Sequence, residues 1–378
     1  MTAAALVAVG VVGGGCGQGR AKRSVSTESA TTLAREGGVR LVYVAKPTRY
    51  ATVNAASLRH TMLVVERRLA LLGIRDADVH GSGNQLIVTL PNVRNEDSAE
   101  QQIGTTALLA FYDWEISVLG PDGKPDPTDE GMTGGMSAGQ PGAGTQTYYE
   151  AVTRASRFKP TNEPDDTTTG LFYGVDSKAK TVLCGPQGTE ADARDACQSS
   201  GERPSSFVEV PRGSVLVQAE ADSTNKAAQA LAQDAYYILK DDPALLSRDV
   251  KDPEQNTDNG AGGSGQPDVT FSFTKDGRRK WQRLTRAVAQ RGQAATLPGV
   301  PPSAAANHFA IVLDNKLISV PYIDPQQNPD GIDGSKGAQI LSGFTITSAQ
   351  RLANLIKTGP LPLKLELQAT SRIKPKAG

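Results

Sequence analysis

The alternation of apolar and polar positions becomes regular at Val39. VRLVYVA reads as a strand, and from Ser57 to Leu72 the residues Leu58, Met62, Val65, Leu69 and Leu72 fall on one helical face that Gly73 terminates. Two short strands, DADVH and QLIVTLP, flank a glycine turn at Gly81 to Gly83. A helix over Asn95 to Ile103 follows, and TALLAFYDWE then returns as a strand. This β-α-β-β-α-β order is that of a ferredoxin-like unit.

The end of the chain has the same style. HFAIVLD and KLISVPYI form two strands about the tight pair Asp314-Asn315, and GAQILSGF forms a third. A helix is predicted to open at Thr347 with Gln350 completing a capping box, and to stop at Gly359-Pro360. LPLKLEL, alternating apolar and charged, closes the unit as a half-buried strand. Between the two ends, residues 119–212 are loop-rich. They are followed by a strand SVLVQAE, a helix from Asn225 to Leu239, a strand DVTFSFT and a helix from Asp276 to Gln290. Val269, Phe271 and Phe273 share one side of their strand and predict a core face.

A chain whose first and last quarters both read as parts of one α+β layer folds most simply with one domain interrupting another. The predicted fold class is α+β: a ferredoxin-like split base subdomain with an inserted α+β head subdomain. The base is expected over 39–118 and 303–372, the head over 119–302, and a tail over 373–378.

The opening stretch VAVGVVGGGCGQGR changes the picture of where this body works. Ala3 to Val12 is about half the length needed to cross a bilayer and runs into three glycines before Cys16. A short apolar run followed by small residues fits a secretory signal. Residues 1–16 thus read as a signal and lipobox-like segment, with Cys16 as the lipidated residue; the alternative is a disordered start with an inert thiol. Polar, aperiodic residues 17–38 would be a flexible linker. The expected location is outside the cell's cytoplasm, anchored by lipid to the outer face of the cytoplasmic membrane. There, Cys184 and Cys197 remain as an even pair thirteen positions apart and are expected to form a disulfide, two unpaired buried thiols being the alternative.

Composition excludes more than it assigns. Forty basic residues balance forty acidic ones, so no net field draws the 378-residue molecule to nucleic acid. An apolar fraction of 38% suffices for a sizeable core. The 39 glycines and 23 prolines concentrate near 120–145 and 252–267, where packed elements are not expected.

The segments TTALLAFYDWE after RLALLGIRDADVH, then AYYILKDDPALLSRDV, PDVTFSFTKDGRRKWQRLT, AIVLDNKLISVPYI and ILSGFTITSAQRLANLIKTGPLPLKLEL together resemble the extracytoplasmic first domain of the SecD family, subunits of an accessory complex of the bacterial preprotein translocase. The resemblance covers roughly 40–115 and 232–372. It implies a ferredoxin-like base, and a head that catches emerging preprotein and swings relative to the base. Full members continue into a bundle of membrane helices that couples proton flow to movement. This sequence stops at SRIKPKAG, so no proton-driven cycle is expected of it, and the cysteine-containing 119–212 insertion has no recognised counterpart.

Motifs that carry chemistry elsewhere do not do so here. Gly135-Met-Ser137-Ala-Gly139 spells a serine-hydrolase elbow but lacks the apolar strand before it and the helix after it. His60, His80 and His308 lie far apart without metal spacing, and Asp324, Asp330 and Asp333 lack the calcium-loop pattern. Lys275, Arg278, Arg279, Lys280, Arg283 and Arg286 form a basic helix face beside Trp281, read as solvated, with a contact surface for an acidic or unfolded partner as the sharper alternative. No catalytic residue, metal or cofactor is predicted. The expected function is non-catalytic assistance to protein export, by binding preprotein or translocon components. The alternative is a surface scaffold or ligand-binding lipoprotein unrelated to export.

Overall fold

The structure, a computed structural model, describes residues 37–48, 50–74, 76–93, 96–126, 146–160, 170–219, 235–259, 263–294, 307–341 and 343–374. The chain runs through β1 (Gly38–Lys46), α1 (Ala55–Leu71), β2 (Asp78–Ser82), β3 (Gln85–Pro91), α2 (Glu96–Gly104), β4 (Leu109–Asp113) and the single turn α3 (Trp114–Ser117). It continues through α4 (Tyr148–Ala155), β5 (Leu171–Asp176), β6 (Thr181–Gln187), α5 (Glu190–Ser200), β7 (Ser206–Val210), β8 (Ser214–Ala219), β9 (Tyr236–Lys240), β10 (Leu245–Leu246) and β11 (Val250–Thr257). The remainder is β12 (Pro267–Phe273), α6 (Lys275–Ala294), β13 (Asn307–Leu313), β14 (Lys316–Ser319), β15 (Tyr322–Ile323), β16 (Ala338–Ile340), α7 (Ile346–Thr358) and β17 (Lys364–Ile373).

The base is a four-stranded antiparallel sheet in the order β17-β1-β3-β2. Its buried face alternates along β1 at Val39, Leu41, Tyr43 and Ala45, and packs with Leu86, Val88 and Leu90 against Leu58, Val65 and Leu69 of α1 and Ile103 of α2. α1 begins where the Asn54 carboxamide accepts from the backbone N–H groups of Ala56 (2.9 Å) and Ser57 (3.0 Å), while Ser57 Oγ accepts from Asn54 N–H. It ends at Gly73, whose φ of 77° suits a residue without Cβ.

The ferredoxin-like order predicted from the sequence is present, with its fourth strand elsewhere. TALLAFYDWE does not close this sheet; β17, from the other end of the chain, does, pairing with β1 from Gly38↔Ile373 to Lys46↔Lys364 with one register shift between Val42 and Tyr43. All five residues of β4 are buried, so it needs cover on both faces, which a sheet with one open face does not supply. It pairs instead with β13 and β10 in a larger sheet ordered β10-β4-β13-β14-β8-β9. β13 and β14, expected in the base as part of 303–372, belong to this same sheet. Their connection is the predicted tight turn, with Asp314 and Asn315 at φ 50° and 62°.

Both faces of the large sheet carry buried apolar clusters. One face sends Leu109, Phe111, Phe309 and Ile311 into a core with Val269, Phe271, Phe273, Trp281 and Leu284, so the predicted core face of DVTFSFT is borne out. Within it the Trp281 ring stacks on Phe273 at 5.1 Å and meets Phe309 edge-on at 5.1 Å. The other face gathers Ala110, Tyr112, Ala310 and Val312 with Val217, Tyr237 and Leu239 of the same sheet and Trp114 of α3. The helix expected from Asn225 to Leu239 is corrected in its described part: Tyr236–Lys240 is a strand. Tyr237 and Leu239 join this core while Ile238 points into the next one, a period of two that a helix cannot provide. The helix expected to open at Thr347 opens two residues earlier, capped by Thr345 with Ser348.

A third unit is built from the 119–212 region. β5, β6 and β7 form an antiparallel sheet ordered β6-β5-β7, with α5 lying on it. Tyr173, Val175 and Val210 pack through Ala151, Val152 and Ala155 of α4 onto Leu216 and Ile238 of the large sheet. This lobe is thus an added layer on the head with a core of its own.

Candidate functional site

The chain crosses between base and head twice, through 105–108 and 359–363, and the two crossings touch: Leu361 N–H donates to the Thr106 carbonyl at 2.7 Å. Arg68, in the last turn of α1 and fully buried, spans both. Its guanidinium donates to the carbonyls of Gln102 (2.8 Å), Thr105, Thr106 (3.3 Å) and Gly359 (3.0 Å), and its Nε to Thr358 Oγ1 (3.3 Å). The planar fork of five donors suits this set of acceptors as a lysine could not. From the head side, the Asp314 carboxylate accepts from the N–H groups of Ala107 (2.8 Å) and Leu108 (2.7 Å). Burial pulls Arg68 down to about 10 while the charge of Asp314 works the other way. Burial pushes Asp314 up, opposed by the two backbone N–H groups and by Arg68.

These crossings form the back of a cleft of about 730 Å³ in which all three units meet. The base contributes Pro47, Thr48 and Tyr50, the outgoing crossing Leu108, the large sheet Leu216 and Tyr236, and the lobe Tyr148, Leu171, Tyr173 and Pro186. Tyr148 stacks on Tyr236 at 4.7 Å and meets Tyr173 edge-on at 6.1 Å, giving the cleft an aromatic floor assembled from α4, β5 and β9. Burial raises the Tyr148 hydroxyl above its ordinary value, so the ring stays neutral. Thr48 Oγ1 donates to the Pro362 carbonyl at 2.8 Å and fixes the end of β1 to the return crossing. A Cβ added at Gly188 of the lobe would lie 3.7 Å from Pro47 Cγ of the base, so the two units approach each other there.

The lobe wall is cross-linked. Cys184 on β6 and Cys197 on α5 are joined, with their Cα atoms 5.3 Å apart, two residues before the cleft-lining Pro186. Gly174 on β5 lies under the bond: a Cβ there would fall 2.5 Å from Cys184 Sγ and 2.6 Å from Cys197 Sγ. Absence of a side chain at 174 is what lets the sulfurs pack against the sheet.

The other residues singled out in the sequence do not converge. Cys16, Ser137 and the rest of the Gly135–Gly139 motif lie outside the described residues. His60 is exposed at the cleft, His80 Nδ1 lies 3.2 Å from Asp78, and His308 Nδ1 lies 2.9 Å from Glu115. Asp324 and Asp333 satisfy turn N–H groups of Gln326 and Ser335, and among the described residues no group of three or more His, Cys, Asp or Glu side chains is placed to hold a metal ion. Trp281 and Leu284 of α6 are buried while Lys275, Arg278, Arg279, Arg283 and Arg286 are exposed; Lys280 reaches Asp249 at 2.8 Å. Neither Arg68 nor the three tyrosines stands out in the sequence pattern. An arginine three residues after Val65, on the face predicted to be buried, was the available signal for the first. Tyr148, Tyr173 and Tyr236 come from segments too far apart for any pattern to join them.

The chain was compared with known proteins. Residues 58–115 match the family model "Protein translocase subunit SecDF, P1 domain, N-terminal", and 221–363 match "SecDF, P1 head subdomain". The protein translocase subunit SecD of Streptomyces coelicolor is 26% identical over 89% of this chain and 60% of its own length, and that of Synechocystis 24% over 88% and 52%. The SecD of Acidaminococcus fermentans is 30% identical over 40% of the chain and 31% of its own length. The chain therefore spans 60% or less of these relatives. Among solved structures, SecDF in a super-membrane-facing form covers 90% of the chain and 31% of that chain at 17% identity and a TM-score of 0.47; a second SecDF structure covers 87% and 98% at 17% and 0.44. No helix among the described residues is long and apolar enough to cross a membrane. With both modules of one domain matched in order across more than half of its residues, the chain belongs with the P1 domains of the SecD/SecDF family.

Proposed function

We propose that this chain assists protein export on the extracytoplasmic side of the membrane, without catalysis, by holding unfolded polypeptide in the cleft where base, head and lobe meet. The carrying observation is the cleft itself: an apolar, tyrosine-floored space of about 730 Å³ at the junction of the family's two modules and the lobe. An apolar groove with a few polar groups binds chain segments by burying their side chains. The export relatives supply the context, with translocon components as neighbours. Lipidation of Cys16 would hold the body at the membrane surface, with 17–38 as its tether.

The test is photocrosslinking of the full chain to a permanently unfolded, carboxymethylated protein. A benzophenone amino acid at Leu171, in the cleft, should give adducts, and the same group at the exposed Leu63 on α1 should not. Equal yields at both positions, or none at either, would refute the reading.

A further inference from the structure

The charged side chains that line the cleft are mostly cationic: Arg248, Lys316 and Lys364, against a single carboxylate, Asp314. That carboxylate is consumed internally: its two oxygens take the N–H groups of Ala107 and Leu108, and Arg68 lies within its electrostatic reach. Lys364 is occupied by Glu366 at 2.9 Å. Arg248, in the turn after β10, and Lys316, at the start of β14, are both exposed and line the cleft. In a chain with forty charges of each sign, this local imbalance is not a by-product of composition.

The lining sets the form of the occupant. An extended segment presents successive side chains to opposite sides, so that alternate residues meet the rings of Tyr148, Tyr173 and Tyr236 while the others face Pro47 of the base and Pro360 and Pro362 of the return crossing.

We propose that the cleft selects extended apolar segments flanked by acidic side chains, the apolar residues lying on Tyr148, Tyr173 and Tyr236 and the acidic flank meeting Arg248 and Lys316. This rests on the polypeptide-holding reading and specifies its substrate. Charge complementarity of this kind sets preference and on-rate more than total affinity, and it is removed by salt.

The experiment is fluorescence anisotropy of the full chain with two labelled peptides that share one leucine-, phenylalanine- and proline-containing core. One is flanked by pairs of aspartates, the other by pairs of lysines. The expected result is a roughly fivefold preference for the acidic peptide at low salt, lost at about 0.5 M salt and reversed in the Arg248→Glu, Lys316→Glu double variant. Both positions are exposed, so the substitutions leave the packing alone. Equal binding of the two peptides by the unmodified chain would overturn the charge preference and leave the polypeptide-holding reading standing. Binding of neither would overturn both.

Discussion

Arg68 donates a hydrogen bond of 3.0 Å to the carbonyl of Gly359, joining the last turn of α1 to the return crossing 291 positions later. The same guanidinium holds the end of α2 at Gln102 and the outgoing crossing at Thr105 and Thr106. One buried side chain therefore sets the spacing of the two strands on which the head is mounted. Arg68→Ala would take the side-chain donor from the carbonyls of Gln102, Thr105 and Gly359 and leave Asp314 without its opposing charge, and a loss of about 3–5 kcal/mol is expected. Arg68→Lys should recover only a part, because a single ammonium cannot reach acceptors on both crossings. Urea unfolding midpoints of the three forms check this; an alanine variant as stable as the parent would remove Arg68 from the role.

The disulfide closes a loop of thirteen positions within the lobe. In the chain-entropy estimate such a loop is worth about 3 kcal/mol. Reduction, or the Cys184→Ser, Cys197→Ser pair, should lower the stability of the lobe by that order and weaken peptide binding through displacement of Pro186 and Gln187 from the cleft wall. A sharper check is Gly174→Ala. Its methyl group would overlap both sulfurs, so the cysteines should remain largely reduced after expression in an oxidising compartment, as thiol alkylation and mass measurement would show. Complete oxidation in the alanine variant would contradict the packing described.

The two candidate caps of α7 make opposite forecasts. Thr345 Oγ1 accepts from Ser348 N–H at 3.1 Å, and Ser348 Oγ accepts from Thr345 N–H at 3.0 Å, whereas Thr347 is an exposed residue of the first turn. Thr345→Ala should cost about 1 kcal/mol, and Thr347→Ala should fall within about 0.5 kcal/mol of zero. Thermal melting of both variants decides between the two cap positions.

What the sequence made legible was local. The strand and helix of the first unit, the Asp314-Asn315 turn and the core face of Val269, Phe271 and Phe273 each depend on spacing within a few residues, and each is present. The partner of β1 was not legible, because nothing near TALLAFYDWE distinguishes a fourth base strand from a central strand of another sheet except that all of Leu109–Asp113 must be buried. The aromatic and aliphatic residues of YYILK fit either period over so short a run, so local pattern does not separate strand from helix at β9. Asp314 was seen as a turn residue, and its second task, capping Ala107 and Leu108 from 206 residues away, has no trace in local pattern. The cleft is the extreme case: its floor joins α4, β5 and β9, which only the folded chain brings together.

Asp268 gives a prediction in pH. It lies buried at the start of β12, with Oδ1 lacking a hydrogen-bond partner among the described residues, and burial together with nearby Asp258 raises its carboxyl above the ordinary 3.8. A raised folded value means that the fold favours the protonated form. The stability so contributed is complete below the unfolded value and is lost as pH rises through the folded one. Asp268→Asn carries no charge at any pH, so its advantage over the parent should be small near pH 4 and grow to about 1–2 kcal/mol toward pH 8. Asp176 supplies the contrast. Backbone N–H groups of Ala179 and Lys178 lower its carboxyl, so its contribution is present above the unfolded value and lost as pH falls through the folded one; the pH trend of Asp176→Asn should run the other way. Denaturant melts of the parent and both variants at several pH values would show the two slopes. An Asp268→Asn difference that stayed flat or shrank with rising pH would mean that the carboxylate is stabilised in the fold by a partner.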